Sequence, residues 1–197
     1  MKHAMRRPLY LMFTVALTGC AASAGGDKRV APKAEPAASS KATSTTTDAA
    51  PAGEVAELPD FTLETIYGEQ FTLSEHVGKK VIVLSFWATW CAPCLAELPH
   101  LDALYQEEQD NGLLIVAVNM DEPATQSEVA PAASRIGLPM PVVLDTEQRA
   151  VSLYNRSRNA PMTVVIDRKG KVVRATAGYN PGDEEALAEE LRGLLAK

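Results

Sequence analysis

Cys91-Ala-Pro-Cys94 is the pair of residues in this chain whose type and spacing best suit chemistry. A thiolate attacks disulfides, and a second thiol three residues on can displace the first and close an intramolecular disulfide. Such a pair needs a setting that stabilises a thiolate. The start of a helix supplies one, through its unpaired backbone N–H groups and the positive end of its dipole. Pro93 suits that position, because an N–H in the first turn has no helical partner. A Cys-x-x-Cys at a strand-to-helix junction, with Trp90 before it and proline inside it, points to a redox-active dithiol. Cys91 is expected to be its accessible, acidified nucleophile.

The flanking sequence supplies the elements. Val81 to Trp87 is a near-continuous apolar run, which reads as a strand buried on both faces. A helix should start near Cys91 and run through Leu95, Leu98, Leu101, Leu104 and Tyr105, with Asn111-Gly112 as its stop. Leu113 to Asn119 is a second buried strand. A helical stretch from about Pro123 to Arg135 follows, in which Pro131 argues against an unbroken helix. Pro141 to Leu144 suits a short strand. Phe61 to Ile66 and Glu69 to Leu73 flank Tyr67-Gly68 as a hairpin, and Ser74 with Val77 suits a brief helix. Met162 to Ile166 and Lys171 to Ala175 bracket Asp167-Arg-Lys-Gly170 as an antiparallel hairpin. Asp183 to Ala196 closes the chain as a helix with Leu187, Leu191, Leu194 and Leu195 on one side. Parallel β-α-β, a hairpin and a helix describe a layered α/β domain with a central mixed β-sheet flanked by helices.

Other uses of the cysteines fit less well. The chain has three cysteines, too few for a disulfide scaffold or a four-thiolate zinc site. His76 and His100 lack metal-ligand spacing to Cys91 and Cys94, so no metal is expected. A c-type haem site needs histidine where Leu95 stands. Related peroxidases attack with a cysteine three residues after a threonine, and here that position is Ala88. A purely structural disulfide across so short a loop would stabilise little.

At 197 residues with a formal charge of −6, the chain has room for one domain and no basic face for nucleic acid. Its amino end differs from the rest. Lys2, Arg6 and Arg7 precede an apolar run from Leu9 to Leu17, too short to span a bilayer, and the small residues Thr18-Gly19. Leu17-Thr18-Gly19-Cys20 resembles the bacterial lipoprotein box. That resemblance implies residues 1–19 as signal peptide and Cys20 as the lipid attachment site, anchoring the protein to a membrane. Ala21 after Cys20 leans towards the periplasmic side of the outer membrane where the host has one. Removing residues 1–19 takes three positive side chains and no negative ones, moving the formal charge to −9. Residues 20–57 then comprise the lipidated Cys20 and an Ala/Ser/Thr/Pro-rich linker, expected to be disordered and to serve as a stalk. The globular part is residues 58–197.

Residues 58–197 resemble thioredoxin-fold oxidoreductases, and more closely the membrane-tethered, extracytoplasmic branch related to the TlpA and ResA proteins. The resemblance rests on Trp87-Ala-Thr-Trp-Cys-Ala-Pro-Cys94, Glu97-Leu-Pro99, Ala117-Val-Asn-Met-Asp-Glu-Pro123 and Ala160-Pro-Met-Thr-Val-Val-Ile-Asp167. It implies a thioredoxin-like fold with an N-terminal β-hairpin extension and a helix-containing central insertion. It implies that Pro161, otherwise an ordinary loop proline, is cis beside the cysteines. Ala160 would offer its backbone to a substrate polypeptide, and Trp90 would add apolar contact. Thioredoxin's buried aspartate before the motif is replaced by Ser85. The tethered branch places a glutamate at the position of Glu97, where a buried carboxylate could take the proton of Cys94; on residues alone Glu97 could be a surface acid. The polar stretch Asn155-Arg-Ser-Arg-Asn159 is unusual before such a proline.

The implied activity is thiol-disulfide exchange outside the cytoplasm, reducing exported proteins through Cys91 and Cys94 as a monomer. Apocytochrome c thiols are among the implied clients, and a transmembrane thiol carrier is the implied electron donor. No organic cofactor is called for. A binding module or holdase without redox turnover is the alternative. Ala92-Pro93 adds no charge to stabilise a thiolate, and an ionised Glu97 would oppose one at Cys94. Both favour the disulfide form, so the pair is expected nearer ~−270 mV than the ~−120 mV of a strong oxidant.

Overall fold

A computed structural model describes residues 58–197; the signal segment, Cys20 and the linker lie outside the described residues. The order is β1 (Thr62–Thr65), β2 (Gln70–Thr72), β3 (Val81–Trp87), α1 (Ala92–Glu108), β4 (Leu113–Asn119), α2 (Val129–Ile136), β5 (Val142–Leu144), α3 (Arg149–Tyr154), β6 (Met162–Ile166), β7 (Val172–Ala177) and α4 (Asp183–Leu195). Short 3₁₀ turns sit at Leu73–Glu75, Gln109–Asn111 and Gln126–Glu128.

One seven-stranded mixed sheet runs β2-β1-β5-β4-β3-β6-β7. β3, β4 and β5 are parallel, while β6, β7 and the β1–β2 hairpin are antiparallel to their neighbours. β3 and β4 are buried at every residue, which is why each reads as an unbroken apolar run. Their alternate side chains feed two cores. Val81, Val83, Trp87, Leu113, Ile115 and Ala117 pack beneath α1, α2 and α4. Ile82, Leu84, Phe86, Leu114, Val116 and Val118 pack with Phe61, Leu63 and Phe71 of the hairpin region and with Ala150 and Val151 of α3. The fold is thioredoxin-like.

The structure departs from expectation between β4 and β6. The helical stretch expected from about Pro123 begins only at Val129, after a 3₁₀ turn. Pro131 therefore falls in the first turn of α2, where its missing N–H costs no helical bond. No periodicity in the sequence announces α3; Asp145 starts it by accepting the N–H groups of Arg149 (2.7 Å) and Val151 (2.8 Å). α1 runs through Pro99, as its apolar spacing requires, and forgoes one backbone bond there.

Candidate active site

β3 ends at Trp87, and four residues later Cys91 caps α1. Cys91 is extended (φ −89°, ψ 93°) and its Sγ accepts the Cys94 backbone N–H at 3.2 Å. Its own N–H donates to Ala88 O at 3.1 Å, which draws the turn tight. The two sulfurs form a disulfide, with the Cα atoms 5.3 Å apart. Pro93 lies in the first turn of the helix.

The expectation of an openly accessible Cys91 needs correction. The residue is 3% exposed and Cys94 is fully buried. The tight turn and the disulfide draw both sulfurs down, leaving Ala92, Pro93 and Trp90 at the surface, Trp90 with 68% of its area exposed. The remaining opening lies on the Cys91 side of the pair.

Glu97 follows Cys94 by three residues on the same helix face, where Cβ atoms lie ~5–6 Å apart. It is 6% exposed, so the surface-acid alternative does not hold. Thr163 Oγ1 donates to Glu97 Oε1 at 2.9 Å, and Oε2 has no hydrogen-bond partner. Burial pushes the carboxyl pKa up to about 7, against the lowering effect of the Thr163 bond; the charge of Asp183 adds to the rise. Ser85 is the cross-strand partner of Thr163 and faces the same layer, with its hydroxyl also unpartnered. A cavity of about 20 Å³, bordered by Glu97, Thr163, Thr176, Tyr179, Asp183 and Glu184, adjoins the carboxylate.

The Ala160–Pro161 peptide is cis, as the resemblance implied. Pro161 leads directly into β6, whose Met162 pairs with Phe86 next to Trp87, so it sits at the same end of the sheet as the disulfide. Ala160 packs against the core cluster that holds Cys91 and Cys94. Asn155 is buried and its side chain works as a clasp: Nδ2 donates to Asn159 O at 2.7 Å, and Oδ1 accepts Asn159 N–H at 3.0 Å. The polar stretch before Pro161 is thus a braced loop.

Asp121 went unrecognised as a site residue in the sequence. It is buried, and its carboxylate accepts four hydrogen bonds: from Thr89 N (2.8 Å), Thr89 Oγ1 (2.5 Å), Asn119 Nδ2 (2.7 Å) and Thr125 Oγ1 (3.0 Å). Burial pushes its pKa up, but these bonds outweigh that and hold it below its ordinary value. The clamp fixes the backbone two residues before Cys91. A signal was present: β3 and β4 are adjacent and parallel, so polar residues just after each strand must meet. Among the described residues no cluster of three or more His, Cys, Asp or Glu could hold a metal. His76 stacks on Phe71 (centroids 5.0 Å apart), and His100 lies 3.9 Å from Glu184.

Residues 55–175 match the AhpC/TSA family. The chain is 38% identical over 136 residues to the thiol-disulfide oxidoreductase ResA of Halalkalibacterium halodurans, covering 69% of this chain and 73% of that protein. A putative thiol:disulfide interchange protein DsbE from Chlorobium tepidum superposes with a TM-score of 0.65 at 31% identity, covering 71% of this chain and 95% of the other. The pneumococcal exposed lipoprotein thioredoxin Etrx1 from Streptococcus pneumoniae superposes with a TM-score of 0.59 at 27% identity, covering 68% and 99%.

Proposed function

The chain belongs to the AhpC/TSA family and is a thiol-disulfide oxidoreductase, and from that premise we propose that it reduces disulfides of exported proteins outside the cytoplasm. The observation that carries this reading is the disulfide at the cap of α1, set one helical turn from a buried carboxyl that titrates near neutrality.

In the reduced protein, Cys91 is the attacking thiolate, stabilised by the Cys94 N–H and the helix start. It attacks one sulfur of the client disulfide, forming a Cys91–client bond. The other client sulfur leaves as a thiolate and takes a proton from solvent. Glu97 accepts the proton of Cys94. The Cys94 thiolate then attacks Cys91 Sγ, releasing the second client sulfur and forming the Cys91–Cys94 disulfide. Two electrons pass to the client. A thiol carrier must return them, and a transmembrane donor fits a protein facing away from the cytoplasm. Trp90, Ala160 and Pro161 form the client contact. No cofactor enters the cycle.

Lipidation of Cys20 after removal of residues 1–19, with 20–57 as a stalk, would tether a monomeric domain 58–197 to a membrane. The resemblance of Leu17–Cys20 to a lipoprotein box supports this, and so does the similarity to a lipoprotein thioredoxin. Where the host has an outer membrane, its periplasmic side is the location. Apocytochrome c thiols are one client class. Expression of Cys94→Ala in the host tests the reading, because this variant stalls at the mixed disulfide. Exported client proteins should be captured on Cys91. Absence of any adduct that reductant reverses would overturn it.

A further inference from the structure

The loop that leads into Pro161 carries Arg156 and Arg158, both exposed. Of the other arginines among the described residues, Arg135 in the last turn of α2 is likewise exposed and without an ion pair, but it lies away from Pro161 in the chain, and the remaining four are engaged. Arg149, Arg174 and Arg192 each meet a carboxylate at 3.0 Å or less, and Arg168 donates to the carbonyls of Leu195 and Asn111. Arg156 reaches only Ser152 O, through Nε at 3.3 Å. Among the described residues neither Arg156 nor Arg158 forms an ion pair, in a chain whose formal charge is −6.

The arginines stand on a fixed support. The Asn155 clasp holds both ends of the segment, and Arg158 N–H donates to Asn155 O at 2.8 Å. Arg158 is held at φ 54°, a left-handed conformation that favours glycine. The support also abuts the reactive centre. Asn155 Nδ2 contacts Met120 Sδ at 3.5 Å, and Met120 N–H donates to Trp87 O at 2.8 Å, on the residue that leads to the Cys91 turn.

We propose that Arg156 and Arg158 form a docking surface for an acidic stretch of client polypeptide flanking the disulfide to be reduced. The proposal rests on the oxidoreductase reading and names its substrate class. A client strand lying along Ala160–Pro161 would extend over this loop. Guanidinium groups pair carboxylates with two parallel hydrogen bonds, and exposed charge of this kind acts mainly on encounter and register. Its effect is screened by salt, with a Debye length of ~10 Å at 0.1 M.

The test uses the full-length reduced protein and two peptide disulfides that differ only in their flanks, Asp/Glu or Lys/Arg. At low salt the acidic peptide should have a kcat/KM about tenfold higher, mostly through KM, and 0.5 M NaCl should erase the difference. The same ratio measured in Arg156→Gln/Arg158→Gln should fall to about one. Equal rates for the two peptides in the native protein, or a preference that survives the double substitution, would overturn the proposal while leaving the oxidoreductase reading intact. Failure of the native protein to reduce either peptide or the uncharged hydroxyethyl disulfide would overturn both.

Discussion

Thr163 Oγ1 donates a 2.9 Å hydrogen bond to Glu97 Oε1, joining β6 to α1 across 66 residues of sequence. The same carboxylate leaves Oε2 without a partner, and burial outweighs the single bond, so the group titrates at about 7. An acid poised there can accept a proton and release it again at neutral pH. Ser85, on the strand beside Thr163, could not do so, having no group that titrates in this range.

Removing the titration should show in the step that Cys94 carries out. Glu97→Gln is expected to slow resolution of a preformed mixed disulfide by about 10²-fold. The inflection near pH 7 in the native rate profile should vanish. Stopped-flow measurement of the resolution rate from pH 5 to 9 checks both. An unchanged rate with the inflection retained would assign the proton to another group.

The raised pKa also fixes the sign of a stability effect. The unfolded carboxyl titrates near 4.5 and the folded one near 7, so the folded state binds the extra proton between these values. The burial penalty of Glu97 is therefore absent below about pH 4.5 and complete above about pH 7, reaching at most about 3 kcal/mol. Denaturant unfolding of the oxidised protein should show Glu97→Gln gaining stability over the native chain as pH rises through this window, and no such gain below it.

Thr163 lowers the Glu97 pKa by its hydrogen bond. Thr163→Val keeps the shape and removes that bond, so the Glu97 titration should move above 7. The carboxyl ¹³C chemical shift of Glu97, followed against pH, reads this directly. A downward movement would contradict the assigned role of the bond.

Asp121 separates position from charge. In Asp121→Ala the partly buried Thr89 N–H and the buried Asn119 amide lose their acceptor, which should cost about 2 kcal/mol and loosen the turn before Cys91. Asp121→Asn can keep its oxygen towards those two donors and direct its amide to the Thr89 and Thr125 hydroxyls. It should retain most of the stability, within about 1 kcal/mol. Denaturant unfolding and the alkylation rate of reduced Cys91 distinguish the pair of variants. Equal losses in both would mean that charge, not position, is what Asp121 supplies.

The strands were legible because burial on both faces writes a continuous apolar run: the bounds read for β3 and β4 are those found. The cysteine pair was legible because its chemistry and its cap position coincide in five residues. Glu97 needed the family resemblance, since helix spacing alone does not say which acid is buried. Thr163 and Asp121 act through partners that only the sheet brings near, 66 and 32 residues away. α3 is six residues long and starts from Gln148 at φ 56°, so neither periodicity nor a common cap announces it.

The most direct test of the dithiol mechanism is reduction of insulin disulfides by the native protein and by Cys91→Ser, with dithiothreitol as the electron source. The native protein should accelerate precipitation of the reduced insulin chain, and Cys91→Ser should fall to the uncatalysed rate. Equal acceleration by both proteins would contradict attack by Cys91 and leave the disulfide at the cap of α1 without a catalytic role.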